Sequence, residues 1–333
     1  MQGQAHYNEA LKGSSPDAKN MTHIKLLATS SPLITLLGPT ASGKTKLAVS
    51  LAERFGGEIL SADSRQVYRG MDIGTGKDLE EYGQVPHHLI DVVDPGDEYN
   101  LFEFVKDFSA QYQAIRQHQH LPFLVGGTGM YLDAILNRYE LSIVKTNTEE
   151  RTQLEALTTT ELYEELMRLV PQQHNSTDTL DRSRLIRAIE IARSQKSKQA
   201  TLELPPLKML TLGIAMPREK TRQRITQRLK ARLKEGMLEE VQALYDQGLS
   251  WEQLDFYGLE YRFIAQHLKG ELSFNDMFQK LNSAIHQFAK QQDKWFRKIE
   301  RKGHPITWLE PDSAMPQKAE THISQFLASF GDN

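Results

Sequence analysis

The chain has 333 residues, 39% of them hydrophobic, enough for one large domain plus a smaller one. It contains no cysteine, which excludes disulfides and thiolate zinc sites and agrees with a reducing, cytoplasmic location. No apolar run approaches the roughly 18 residues that span a bilayer, and a formal charge of −3 means that any nucleic-acid surface must come from local clustering of charge.

Residues 1–32 are polar, with Gly13, Ser14, Ser15 and Pro16 at their centre, and read as a loose tail or an upstream start rather than a secretory signal. Order is expected from Leu33-Ile34-Thr35-Leu36-Leu37, a short apolar run that suits a buried parallel strand. After the loop Gly38 to Thr45, Leu47, Ala48, Leu51 and Ala52 recur at helical spacing. Glu58-Ile59-Leu60-Ser61 follows a Gly56-Gly57 break as a second strand. Residues 102–115 read as a helix and Leu121-Pro122-Phe123-Leu124-Val125 as another buried strand. Gly126-Gly127-Thr128 then opens the helix that carries Tyr131, Leu132 and Ile135. This alternation predicts an α/β fold, a parallel sheet covered by helices.

The pattern changes after Leu141. Residues 146–193 are rich in Thr, Glu, Gln and Arg and read as short helices, so residues 142–205 are expected to form an all-helical insertion. Residues 207–215 resemble a returning strand, residues 217–301 are helical almost throughout, and Pro305 to Leu309 is a late strand before a closing helix. The core is therefore expected over 33–141 and 206–333.

Gly38-Pro39-Thr40-Ala41-Ser42-Gly43-Lys44-Thr45 matches G-x-x-x-x-G-K-T between a strand and a helix, the context in which backbone N–H groups cradle phosphate oxygens. Lys44 supplies a mobile charge, and the Thr45 hydroxyl is placed to ligate magnesium. Nucleoside-triphosphate hydrolases usually add an aspartate after a second apolar strand. Here the best such strand runs into Gly126-Gly127-Thr128 instead, and His88 to Asp94 is a weak substitute, which argues against simple ATP hydrolysis. Asp63, just past the second strand, falls at the ligand-carrying end of a parallel sheet. Its bland alternative is a helix N-cap.

These segments, with Asp63-Ser64-Arg65-Gln66-Val67-Tyr68, Met71-Asp72-Ile73-Gly74-Thr75 and Pro86-His87-His88-Leu89-Ile90-Asp91, occur in the order found in bacterial tRNA dimethylallyltransferases, a family the chain resembles. Val125 to Tyr131, Arg184 to Glu190, Phe288-Ala289-Lys290 and Trp295-Phe296-Arg297 extend the resemblance, which runs from about Leu33 to Leu309. It implies a P-loop-type fold adapted to dimethylallyl diphosphate, with Mg²⁺, acting as a monomer on the anticodon stem-loop of tRNA. The acceptor would be the exocyclic N6 amine of the adenosine just 3′ of the anticodon. By position, Asp63 resembles the family's general base and Thr128 the threonine that helps hold the adenosine. The resemblance places tRNA contacts at Asp63, Ser64, Arg65 and Gln66, at Thr128, at Arg151, and at Ser183, Arg184, Leu185, Ile186 and Arg187. It adds Tyr257, Gly258, Leu259, Glu260, Tyr261 and Arg262.

Residues 218–234 form a strongly basic helix in which Arg224 and Arg228, four apart, share one face. Such a helix is ordinarily a solvated charged surface. The resemblance puts diphosphate contacts on it, so Arg224 and Arg228 are assigned to the donor. Three departures stand out. Glu260 occupies a position where the family has glycine, the insertion is short, and the cysteine-dependent zinc finger of many eukaryotic members is absent, which favours a bacterial origin. His118 and His120 have no partners at ligand spacing, while Met71, Met130, Trp295 and Phe296 read as packing residues.

The rivals are a small-molecule P-loop kinase, a prenyltransferase acting on free adenylate, and a non-catalytic RNA-binding protein with a relic phosphate loop. The insertion and its arginines favour tRNA over a mononucleotide. Asp63, Lys44, Thr45 and Thr128 together argue against a relic.

Overall fold

The computed structural model describes residues 31–139, 141–142, 148–170, 182–194, 201–202, 204 and 206–330. Most of the expected N-terminal tail lies outside the described residues, and Pro32 belongs to the first strand rather than to the tail. The chain divides into two compact units, residues 1–137 with 205–333, and residues 138–204.

The larger unit is built on a parallel sheet. Its strands are β1 (Pro32–Leu37), β2 (Gly57–Ala62), β3 (His87–His88), β4 (Leu121–Gly126), β7 (Lys208–Ile214) and β8 (Thr307–Leu309), in the order β3-β2-β4-β1-β7-β8. β1, β2 and β4 are buried along their whole length, which is why they read as near-continuous apolar runs rather than as alternating patterns. The register pairs Leu37 with Gly126 and Gly126 with Ala62, so β1, β4 and β2 end level with one another. Every ligand-bearing turn expected from the sequence leaves from this one edge.

Around the sheet lie α1 (Lys44–Phe55), α2 (Leu101–Gln117) and α3 (Gly129–Leu136). Later come α7 (Arg218–Lys234), α8 (Met237–Asp246), α9 (Trp251–Phe256), α10 (Leu259–Leu268), α11 (Phe274–Arg301) and α12 (Met315–Ala328). α1 buries Leu47, Ala48, Leu51 and Ala52, the helical repeat legible in the sequence, and stops at Gly56 in the left-handed conformation. α2 starts at Asn100, whose side chain accepts from the Phe102 and Glu103 N–H groups. One face of the sheet packs on α1 and α12 through Leu36, Phe123, Leu51 and Ile323.

The smaller unit holds α4 (Thr148–Glu155), α5 (Thr159–Leu169) and α6 (Arg182–Ser194). They close on a core of Leu154, Leu162, Leu166, Leu185, Ile186 and Ile189. A capping box between Thr158 and Glu161 starts α5, and Arg193 joins Glu150 at 2.7 Å and Glu165 at 2.9 Å. The segment is not wholly helical. A two-residue antiparallel pair, β5 (Leu141–Ser142) with β6 (Thr201–Leu202), brings its two ends together.

Candidate active site

Three turns at the level edge of the sheet define the site. After β2 the chain passes through Asp63, after β4 through Gly127 and Thr128, and after β1 through the loop 38–43. No helix follows Asp63, so the N-cap alternative does not apply. Asp63 Oδ1 instead accepts from the Arg65 N–H at 2.9 Å, which fixes the carboxylate's direction through its own turn. The Ser64 N–H donates to Thr128 Oγ1 at 3.0 Å, and the Thr128 N–H donates to Ala62 O at 3.2 Å. Gln66 accepts from Ser61 Oγ and donates to Gly76 O, each at 3.1 Å.

Asp63, Thr128, Lys44 and Thr45 line one cavity of about 580 Å³. Burial, reinforced by Arg228 and Arg232 and opposed by Asp63, pushes the Lys44 ammonium down to about 8. The glycine-rich loop carries Ala41 and Gly43 in the left-handed region, at φ 60° and 86°. Ser42 Oγ is buried there with no hydrogen-bond partner. The Thr40 N–H is already taken, donating to Gln292 Oε1 at 2.8 Å.

On α7, Arg224, Arg228 and Arg232 form a single row at successive four-residue steps. Arg224 Nη1 reaches Ser42 O at 3.2 Å, while Arg228 and Arg232 line the cavity itself. Arg228 Nη2 donates to Gly76 O at 3.3 Å and also pairs with Asp78, whose carboxylate stands 3.7 Å from Arg232. Arg232 was not singled out from the sequence, though its step from Arg228 was the signal. Its side chain is nearly buried, Nη2 has no hydrogen bond, and burial together with Arg228 lowers it to about 10. Gly76, at φ 65°, accommodates it, because a Cβ there would come within 1.5 Å of Arg232 Nη2.

The far wall comes from α9 and α10. Glu260, at the second position of α10, faces the same cavity. Burial pushes its carboxyl up, against the opposing pull of Arg232 and Arg228 and with a further push from Asp63. Glu260 thus stands beside the arginine row as well as among the expected RNA contacts. Tyr257 and Tyr261 also line the cavity but are almost fully buried. Tyr261 donates to Glu240 Oε1 at 2.7 Å. Glu240 in turn accepts from the N–H groups of Asp72, Ile73 and Gly74 at 2.7–2.9 Å, fastening α8 to the loop before Gly76. No local motif in the sequence pointed to Glu240.

At the mouth, Met130, Phe256 and Phe288 are exposed to 46%, 61% and 46%, and Arg65 stacks over the Phe256 ring at 5.4 Å. Met130 and Trp295, expected as packing residues, therefore border the cavity, while Met71 and Phe296 are buried as expected. Arg262 is exposed and pairs with Asp255 at 2.7 Å.

The remaining expected contacts belong to the smaller unit. Leu185 and Ile186 are buried in its core, so their side chains hold α6 in place rather than face a ligand. Arg184 is exposed, Arg187 pairs with Glu190 at 2.9 Å, and Arg151 lies 3.4 Å from Glu155 and 3.7 Å from Glu190. The Ser183 side chain lies outside the described residues. His120, which has no ligand partner at close spacing in the sequence, hydrogen-bonds the distant Glu58 together with His88, at the opposite edge of the sheet from the cavity.

The fold and site define a phosphate-loop α/β protein with a carboxylate, a lysine and an arginine row around one cavity. Two family models match the chain, IPP transferase over residues 66–299 and isopentenyl transferase over residues 32–85. The chain is 57% identical over 288 residues to tRNA dimethylallyltransferase 1 of Geotalea uraniireducens, covering 86% of this chain and 95% of that protein. It is 59% identical over 278 residues to tRNA dimethylallyltransferase 1 of Geotalea daltonii, covering 84% and 90%. Among solved structures, the full-length tRNA isopentenylpyrophosphate transferase of Bacillus halodurans is similar with a TM-score of 0.68 and 31% identity, covering 91% of this chain and 98% of that one. The chain belongs to the IPP transferase family.

Proposed function

We propose that this chain transfers the dimethylallyl group of dimethylallyl diphosphate to the N6 amine of the adenosine just 3′ of the anticodon in tRNA. The observation that carries this reading is that Asp63, Thr128 and Lys44, from three separate strand exits, line one cavity in a chain of the IPP transferase family.

The diphosphate is assigned to the loop 38–45, with Lys44, Arg224 and Arg228 as cations. The buried and unpartnered Ser42 hydroxyl supports an oxygen-rich ligand there. Thr45 is the residue that would hold Mg²⁺, and Mg²⁺ would neutralise charge on the departing diphosphate.

In the reaction N6 attacks C1 of the dimethylallyl group as the C1–O bond to diphosphate breaks. The amine is a poor nucleophile, because its lone pair is delocalised into the ring. Asp63 takes the N6 proton as the C–N bond forms and so removes the developing positive charge. Lys44 and Arg228 stabilise the negative charge that collects on the leaving group. Thr128, its hydroxyl oriented by the Ser64 N–H, holds the adenosine at Asp63. The acceptor must leave its stack to enter the cavity, which suits an unpaired loop nucleotide. Arg65 over Phe256, with Phe288, offers flat faces to its neighbours at the mouth.

We further assign the chain to the cytoplasm as a monomer. No helix among the described residues is long and apolar enough to cross a membrane. A small-molecule kinase is disfavoured by the family match, and a mononucleotide has no run of backbone phosphates to meet the basic side chains of the smaller unit. The test is mass spectrometry of tRNA nucleosides after incubation with dimethylallyl diphosphate and Mg²⁺. N6-dimethylallyladenosine is expected, and an unmodified anticodon loop beside prenylated free adenylate would overturn the assignment.

A further inference from the structure

Gln292 lies on α11, between Phe288-Ala289-Lys290 and Trp295-Phe296-Arg297. The residue is buried, and both polar atoms of its carboxamide are hydrogen-bonded. Oε1 accepts from the Thr40 N–H at 2.8 Å, and Nε2 donates to Gly127 O at 2.9 Å. One partner stands in the loop after β1 and the other in the turn after β4. The pairing of the two strands ends at Leu37 and Gly126. The carboxamide links the two segments just beyond, donating to one and accepting from the other as a peptide group would.

The glycines of the second turn fit this contact. A Cβ on Gly127 would come within 2.4 Å of Gln292 Nε2, and one on Gly129 within 2.4 Å of Trp295. The run Gly126-Gly127-Thr128-Gly129 thus lets α11 dock against the turn at two points one helical turn apart.

We propose that Gln292 is a positioning residue that sets the distance between the donor-binding loop and the acceptor-binding turn, by serving as one extra rung of the β1–β4 ladder. This rests on the assignment of the diphosphate to the loop 38–45 and of the adenosine to Thr128. Gln292 borders the cavity, but both polar atoms of its carboxamide are engaged by Thr40 and Gly127. It holds Gly127, one residue before Thr128, at a fixed separation from Thr40. Losing that separation misaligns C1 and N6 without removing any group that binds either substrate, and misplacement of about 1 Å is enough to cost on the order of 10²-fold in rate.

The test compares wild type with Gln292→Met, which keeps the side chain's volume and loses both hydrogen bonds, and with Gln292→Glu, which can still accept from Thr40 but offers Gly127 no N–H. Single-turnover transfer to an anticodon stem-loop is read alongside thermal stability, affinity for a non-hydrolysable dimethylallyl thiodiphosphate, and affinity for the stem-loop. Transfer should fall about 10- to 100-fold in Gln292→Met, with both affinities within about threefold of wild type. The share of donor lost to water as dimethylallyl alcohol, where water oxygen bonds C1 as the C1–O bond to the departing diphosphate breaks and the water proton goes to solvent, should rise. If Gln292→Met does not fold, Gln292→Glu carries the same expectation for transfer and partitioning. Transfer within threefold of wild type, or a loss matched by lost donor affinity or lost folding with unchanged partitioning, overturns the proposal. A wild-type protein that fails to prenylate the stem-loop overturns the functional reading beneath it.

Discussion

The Ser64 N–H donates to the Thr128 hydroxyl at 3.0 Å, so the turn that carries Asp63 is fastened to the turn expected to hold the acceptor. A base and the group it deprotonates need this kind of fixed relation. Asp63→Asn keeps the bond from the Arg65 N–H to Oδ1 and removes the basic oxygen. Its single-turnover rate should fall by about 10²–10⁴, the range for loss of a general base, while stem-loop affinity stays within a few-fold of wild type. A near-normal rate would remove Asp63 from the chemistry.

Donor affinity should depend unequally on the arginine row. Arg228 lines the cavity, whereas Arg224 spends Nη1 on the Ser42 carbonyl. Arg228→Ala should weaken donor binding by about 1.5–3 kcal/mol, the range for a charge-assisted hydrogen bond. Arg224→Ala should cost less, and stem-loop binding should change little in either. Titration calorimetry with the thiodiphosphate analogue checks this, and weakened stem-loop binding with normal donor affinity would reassign α7 to RNA.

Lys44 gives the donor site a pH limit. Its ammonium, lowered to about 8 chiefly by burial, loses its charge as the pH rises through that value. In the free enzyme the donor site then has one cation fewer. kcat/KM for the donor should therefore decline above about pH 8, and Lys44→Arg should move the decline upward. A profile that stays flat well above pH 8 would mean that this charge is not needed for donor capture.

Glu58 should make stability fall in acid. Burial alone would raise its carboxyl, but hydrogen bonds from His120 and His88 outweigh that and hold it at about 2 instead of the ordinary 4.5. A carboxyl depressed in the fold contributes stability that is complete above about pH 4.5 and is lost as the pH falls toward 2. The contribution is on the order of 3 kcal/mol. Urea titrations across this window should show it, and Glu58→Gln should flatten the dependence there. An unchanged slope in the variant would assign the acid loss to other groups.

The smaller unit supplies the test of acceptor size. Arg184 is exposed on α6, whereas Arg187 is half-buried against the buried Glu190, so Arg184→Glu is the substitution that disturbs the small core less. It should weaken stem-loop binding and leave donor binding intact. Wild-type affinity for the stem-loop should also fall steeply with added salt, since phosphate contacts release counterions. Faster prenylation of free adenylate than of the stem-loop at equal concentration would count against tRNA as acceptor.

The chain's own order determined the sheet strands other than the two-residue β3, the loop 38–45, Asp63 after β2 and Gly126-Gly127-Thr128 after β4, because each depends on local signals: an apolar run, a glycine that can turn, a polar residue at a strand exit. Basic residues at four-residue spacing likewise placed Arg224 and Arg228 on one face before any partner was known. Only the tertiary structure decided what those turns do to one another. Gln292 bonds Thr40 across 252 residues and Gly127 across 165, Arg232 needs the missing side chain of Gly76, and Glu240 caps a loop 166–168 residues earlier. The same holds for Leu185 and Ile186, whose motif pointed to RNA but whose apolar side chains are buried in a small core. A side chain's partner across such distances is set by how helices dock on the sheet edge, and no periodicity or spacing within a single segment encodes that.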